Sequence, residues 1–408
     1  MARPREPDLL TLRKNTMRMK RTLITVWISL GWLAMADAAP AKSGAGIRKV
    51  EDVVIYADER FHSAFPSVVR RPDGELVLAF RRAPDRRRLG DEKYTHTDPN
   101  SYLVLVRSKD DGRTWSKEPQ IFFAHPFGGS QDPCMVQLRD NSLLCASYGW
   151  AWMPPTALPM LPQPNTVHGA KFVFLGGWLV RSVDGGASWS APIRPPRSEG
   201  EPRVDIFGQP LPAYNRGAMY EGSDDRLYWA VAQNSTDGKR TEVHLMISAD
   251  KGTTWKYSAP IARDPKATFN ETSMYETPKG DLIAFLRTAG LGDRLCVARS
   301  KDRGKTFAPW EAIAFQGHPF HALRLPDGRA LLVYGYRHPP YGIRARVLDP
   351  ECNNIAGAPE VILRDDGGGV DLGYPWATMI GKDRALVTYY FNRADGLRAI
   401  EGTFVQVE

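Results

Sequence analysis

Apolar runs broken by two-residue polar turns recur along this chain. The first three are Pro66–Phe80 about Asp73-Gly74, Cys134–Ser147 about Asp140-Asn141, and Met219–Gln233 about Asp224-Asp225. Three more follow: Ser273–Arg287 about Lys279-Gly280, His321–Arg337 about Asp327-Gly328, and Trp376–Phe391 about Lys382-Asp383. Each reads as two short strands joined by a dipeptide of the kind that reverses antiparallel strands. Six such hairpins imply six sheets.

A second repeat punctuates the first. Ser108–Trp115, Ser182–Trp189, Ser248–Trp255 and Ser300–Phe307 all follow Ser-x-Asp-x-Gly-x-(Thr/Ser)-aromatic. In this box the Asp can bond nearby backbone amides, the Gly can take positive φ, and the aromatic can pack back on its own sheet. Turn-separated strands alone fit a large β-sandwich as well. Six hairpins with four matching boxes at uneven but blade-like intervals favour an all-β, six-bladed β-propeller. The hairpins form the inner strands and the boxes close the outer ones. The propeller is expected over residues 47–408 as one domain, after a short linker at 39–46.

The first 38 residues have the pattern of a signal peptide. Arg18, Lys20 and Arg21 precede an apolar run from Leu23 to Ala36, with small-residue cleavage sites at Ala34-Met35-Ala36 and Ala36-Asp37-Ala38. Residues 1–16 look like an extension upstream of Met17. The run is short for a membrane span, so the expectation is export, periplasmic or secreted, with no stable membrane insertion after cleavage.

The formal charge of +8 is half a property of that segment, because residues 1–38 hold seven Lys/Arg against three Asp/Glu. The remaining 47 against 43 is not a nucleic-acid-binding balance. Arg81-Arg82 with Arg86-Arg87-Arg88 is the one local basic cluster, read either as a solvated loop or as an attractor of anionic substrate. Cys134, Cys145, Cys296 and Cys352 show no metal-ligand spacing, and buried thiols are expected even for the hairpin pair Cys134 and Cys145.

In a propeller, the residues just before the first inner strand and just after the second share one end of each hairpin. In chain order this gathers His62 with Arg81 and Arg82; Asp132 with Tyr148; Arg216 with Gln233; Glu271 with Arg287; His318 with Arg337; and Tyr374 with Asn392. A mouth of this polarity suits a polyhydroxylated or acidic ligand.

Several segments then show a resemblance. Phe269-Asn270-Glu271-Thr272-Ser273 with Phe285-Leu286-Arg287, Gly373-Tyr374-Pro375 ahead of Trp376, and Pro99-Asn100-Ser101 leading into Arg107-Ser108 resemble segments of the sialidase (neuraminidase) superfamily of glycoside hydrolases. The resemblance spans the presumed mature chain. It implies Tyr374 as nucleophile, since a phenol avoids the repulsion that a carboxylate would meet at an anionic sugar, with Glu271 taking its proton. It implies an acid from the first blade's loop: Asp98 is chosen, with Asp91, Asp85 and His96 as competitors and a plain turn as the other role open to the loop acids.

The resemblance further implies three arginines on a sugar carboxylate. Arg287 fits one position and Arg337 a second, with Arg344 competing. The third is absent, because the family's Arg-Ile-Pro stands here as Ala64-Phe65-Pro66. Either His62, Arg81 or Arg82 compensates, or the sugar lacks that carboxylate. Asp132 is expected to position substrate. Arg216 either reads a substituent or pairs with Glu221. Trp150, Trp152 and the run from Pro154 to Pro164 form either a sugar-stacking rim or a brace.

The expected activity is an exo-acting hydrolase that releases a terminal sugar with retention, using a glycan or oligosaccharide substrate and no cofactor or metal. The alternatives are the same chemistry on another terminal sugar of a polysaccharide, or a carbohydrate-binding propeller without catalysis. No Rossmann, P-loop or metal-hydrolase motif is present.

Overall fold

The inner strands of the hairpins are apolar at consecutive positions rather than alternate ones, and the structure shows why. Leu76, Val77, Leu78, Ala79 and Phe80 are all fully buried, because each blade is covered on both faces by its neighbours. Outer strands such as Gln120–Phe123 and Glu360–Arg364 are mostly half-buried or exposed. The computed structural model describes residues 44, 46–90, 92–161, 166–167 and 172–408, which lie within one compact unit. The signal-peptide reading and Asp91 fall outside the described residues.

Six antiparallel sheets follow one another around a ring, a six-bladed β-propeller. Blade I comprises Phe61–Arg70, Leu76–Pro84, Tyr102–Ser108 and Gln120–Phe123. In blade II the inner strand is split into Gly129–Ser130 and Cys134–Gln137, both paired with Leu143–Trp152, which pairs in turn with Phe172–Ser182. Blade III runs from Tyr220 to Ala262, blade IV from Thr268 to Gln316 and blade V from Phe320 to Arg364. Blade VI holds Gly373–Met379, Arg384–Asn392 and Arg398–Val407, and its outer strand is the N-terminal Ile47–Tyr56.

The Asp boxes join third to fourth strands in blades I, III and IV, and a fourth box follows Phe172–Ser182 in blade II. In the first box Asp110 accepts from the Thr114 amide at 2.9 Å and its hydroxyl at 2.6 Å, while the Ser108 hydroxyl accepts from the Gly112 amide at 2.9 Å. The residue before the box glycine is also left-handed, at φ 57° for Asp111, 71° for Gly185, 59° for Lys251 and 59° for Arg303. Box aromatics pack back on their own sheet, as Trp255 does 5.3 Å from fully buried Trp229 of the same blade, a pair whose burial contributes several kcal/mol (about 1.5–3 for each large side chain). All four cysteines are buried free thiols; in the hairpin, Cys145 faces Met135 in register and Cys134 faces Ala146.

Candidate active site

Three inner strands break register at the same height. Pairing skips between Ala64 and Ser67 in blade I, between Phe269 and Thr272 in blade IV, and between Gly373 and Trp376 in blade VI. Each break is a bulge that frees two residues from the ladder and re-aims their side chains into the mouth. The freed pairs are Phe65-Pro66, Asn270-Glu271 and Tyr374-Pro375. Phe65 and Tyr374 adopt φ 61° and 54°, a conformation that costs a non-glycine residue about 1–3 kcal/mol and persists only where surrounding packing enforces it. In blade II the split of the inner strand around Gln131-Asp132-Pro133 serves the same end.

The bulges of blades IV and VI bring Tyr374 and Glu271 together. The Tyr374 hydroxyl donates to Glu271 Oε1 at 2.6 Å. Arg287 Nη1 donates to Glu271 Oε2 and, at 2.9 Å, to the Tyr374 oxygen. Burial opposes charge on Glu271, but Arg287, the Tyr374 hydroxyl and Arg216 outweigh it and hold the carboxyl below its ordinary range. Burial and the Glu271 charge push the Tyr374 phenol up, against Arg287 and Arg337. The resting pair is thus a protonated phenol on an ionised carboxylate, an arrangement able to move a proton from the phenol to Glu271.

Arg337 also joins this group, its guanidinium 5.1 Å from the Tyr374 ring centre and bonded to Leu372 O at 2.9 Å and the Tyr390 hydroxyl at 3.0 Å. Arg344 does not: it holds backbone carbonyls of Pro340 and Arg364 and stacks on Tyr336. Opposite Ala64 in register stands Arg81, fully buried and bonded to Thr95 O at 2.6 Å. Arg82 leads away from Tyr374, stacking on Phe61 at 4.1 Å and bonding Tyr102 and Tyr56.

The third guanidinium near Tyr374 is Arg216, from the segment leading into blade III. It is 1% exposed, sits 4.4 Å from the Tyr374 ring centre and bonds Pro66 O at 3.2 Å. Its pairing with Glu221, one of two roles expected from sequence, is not formed; Glu221 instead takes Lys251 at 2.7 Å. Asp132 is buried beside this group and accepts from the Tyr148 hydroxyl at 3.0 Å, with burial and the Glu271 charge pushing its carboxyl up.

Asp98 is fully buried, paired with Arg86 Nε at 2.6 Å and with the Asn100 amide at 2.8 Å. Asp85 caps a short turn by accepting from the Arg87 amide at 3.0 Å. His96 is the half-exposed one, 51% accessible, with its ring 5.6 Å from Phe65. Trp150 packs on Phe174 at 4.6 Å as a brace, and Trp152 is exposed at 54%.

One acid escaped the sequence reading. Asp371 accepts from His62 Nε2 at 3.2 Å, Arg398 Nε at 2.9 Å and the Tyr390 hydroxyl at 2.9 Å, and lies 3.2 Å from His96 Nε2. Burial opposes its charge, but His62 and His96 hold its carboxyl well below the usual carboxylate range. Burial drives His62 down to about 4, so its ring is neutral. His62, His96 and Asp371 place three potential ligand atoms within 4.8 Å of one another. Proximity of Asp371 to Tyr374 in sequence was the available signal.

Residues 158–349 match the BNR repeat-like domain. A Dyadobacter fermentans protein of unknown function is 58% identical, with 89% of this chain and 100% of that chain covered and a TM-score of 0.86. A Hadza microbial sialidase is similar at 17% identity and TM-score 0.60, over 85% of this chain and 66% of that one. An α-L-arabinanase of Penicillium chrysogenum, solved with arabinobiose, is similar at 12% identity and TM-score 0.60, over 88% and 99%. No curated protein matches the sequence. Fold, repeats and the Dyadobacter relative agree: the chain belongs with that protein to one family, carries a BNR repeat-like domain and has the propeller fold of the sialidases.

Proposed function

We propose that this protein is an exported, exo-acting glycoside hydrolase that releases a terminal, acidic sugar with retention, through a covalent intermediate on Tyr374. The observation that carries this reading is the Tyr374–Glu271 hydrogen bond of 2.6 Å with Arg287 bridging both partners. Glu271 takes the phenol proton as Tyr374 attacks the anomeric carbon, and Arg287 with Arg337 supplies positive charge for an anionic sugar. Asp132 and His62 line the same mouth and are assigned to substrate positioning. No described helix is long and apolar enough to cross a membrane; export rests on the leader pattern in the sequence.

A second reading keeps the chemistry and changes the sugar. Ala64 lacks the family's arginine, Arg81 and Arg82 are committed elsewhere, and Arg216 is buried beneath the Tyr374 ring. A site with two accessible guanidinium groups suits a terminal residue without the sialic-acid carboxylate, and the arabinanase likeness is in keeping with it.

The test is fluorophore release from 4-methylumbelliferyl α-sialoside and a panel of other terminal glycosides, with Tyr374→Phe beside the wild type. Release by wild type alone upholds the hydrolase reading and names the sugar. A folded wild type silent across the panel, yet binding glycans, leaves a carbohydrate-binding propeller instead.

A further inference from the structure

The loop between the second and third strands of blade I is clamped from beneath. Buried Arg81 holds Thr95 O at 2.6 Å, Gln131 holds His96 O, and the Arg86–Asp98 pair seals the end of the turn. This clamping fixes the backbone on both sides of His96 while leaving its ring half exposed. His96 and Tyr374 lie against one ring, that of Phe65, at 5.6 and 4.7 Å. The His96 Nε2 faces Asp371 at 3.2 Å, and its Nδ1 has no protein partner among the described residues. Asp98, by contrast, is wholly inaccessible, with both carboxylate oxygens taken.

From this geometry we infer that His96, held in place by Asp371, is the group that exchanges a proton with the leaving-group oxygen, a role that rests on the hydrolase reading above. As an imidazolium, His96 donates Nε2–H to Asp371 and Nδ1–H to the glycosidic oxygen. Tyr374 Oη bonds to the anomeric carbon as Glu271 takes the phenol proton. The glycosidic C–O bond breaks with its electron pair staying on the departing oxygen, which leaves with the Nδ1 proton. Neutral His96 then accepts a proton from water at Nδ1 as that water attacks the anomeric carbon. The Tyr374–carbon bond breaks, and the phenolate recovers its proton from Glu271. The sum is hydrolysis, with every protein group restored.

A metal reading of His62, His96 and Asp371 fits less well. Both Asp371 oxygens already accept two donors each, one of them the cationic Arg398, which leaves little to attract a divalent ion.

The experiment compares two glycosides of whichever sugar the wild type releases, one with a 4-methylumbelliferyl and one with a methyl aglycone. An activated phenol departs without protonation, so His96→Gln is expected to lose about 100-fold or more in kcat/KM on the methyl glycoside and less than about 10-fold on the other. Asp371→Asn, as a positioning change, shows the same split in weaker form. Equal losses on both substrates in His96→Gln mark a structural role and overturn the proposal. So does a split that appears in Asp98→Asn and not in His96→Gln. A substrate-free reading comes from imidazole 15N shifts of the folded wild type, assigned with His96→Gln. A protonated Nε2 is expected, and a bare Nε2 overturns the dyad whatever the protein hydrolyses. A wild type that releases no sugar sinks the hydrolase reading itself, and this proposal with it.

Discussion

The Asp boxes and the mouth are both built from polar groups on β-strand ends, yet they satisfy those groups in opposite ways. Asp110 finds its partners within four residues, in Ser108 and Thr114, and its carboxylate remains at the surface. Glu271 finds its partners 16 and 103 residues away, in Arg287 and Tyr374, and is enclosed with them inside the mouth, Tyr374 buried and the other two partly so. The first arrangement is repeated because it needs only its own sequence. The second occurs once, because six blades must close before any of its bonds exist. Local satisfaction gives stability that any blade can use, whereas distant satisfaction gives a site whose charges are set by one another.

Changes at the two regions should separate accordingly. Tyr374→Phe keeps the ring between Phe65 and Arg216 but removes the attacking oxygen; sugar release is expected to fall by at least about a thousandfold with an unchanged melting temperature. Trp255→Ala does the reverse: loss of the Trp229 contact is expected to cost about 3–5 kcal/mol in urea unfolding while release at low temperature persists. Arg337→Lys loses the planar fork that reaches Leu372 O and Tyr390, and KM for an acidic glycoside is expected to rise about tenfold with kcat little changed.

Acid should break the comparison in sequence. Burial lowers His62 and His125 from 6.5 to about 4, and His321 to about 3. These rings are neutral in the fold, so the stability linked to them is complete above pH 6.5 and is lost as pH falls toward 4. Hydrogen bonds from Thr114 and Thr306 hold Asp110 and Asp302 at about 2, down from 3.8, and their share is lost only between those values. Urea midpoints measured from pH 7 to pH 3 should decline first in the range of the histidines. A midpoint flat from 6.5 to 4 would contradict the buried neutral rings.

What was legible in the sequence follows the same division. The hairpins and boxes could be read because Asp73-Gly74 or Ser108–Trp115 carries its own turn chemistry, and pairing then follows from apolar runs. Glu271, Arg287 and Tyr374 were legible by resemblance, in segments whose bulges no periodicity announces. Asp371 was not: its partner His62 is 309 residues distant, and its nearness to Tyr374 in sequence is a faint mark. The burial of Asp98 was equally hidden, since it depends on Arg86 folding back across an irregular loop. Arg216 was read as meeting a substituent or pairing with Glu221, because the ring it supports, Tyr374, lies three blades away.

Blade VI, which carries Tyr374 and Tyr390, is assembled from both ends of the folded chain, with Ile47–Tyr56 laid against Arg398–Val407. During synthesis the partner of that first strand is made only after the other five blades, so the ring stays open until Arg398–Val407 has emerged. Sugar release would then report closure of the ring, and a product cut short before Arg398 would carry Glu271, Arg287 and Tyr374 in a mouth that never closes. The seam that completes the mouth is thus the last of the six blades to form.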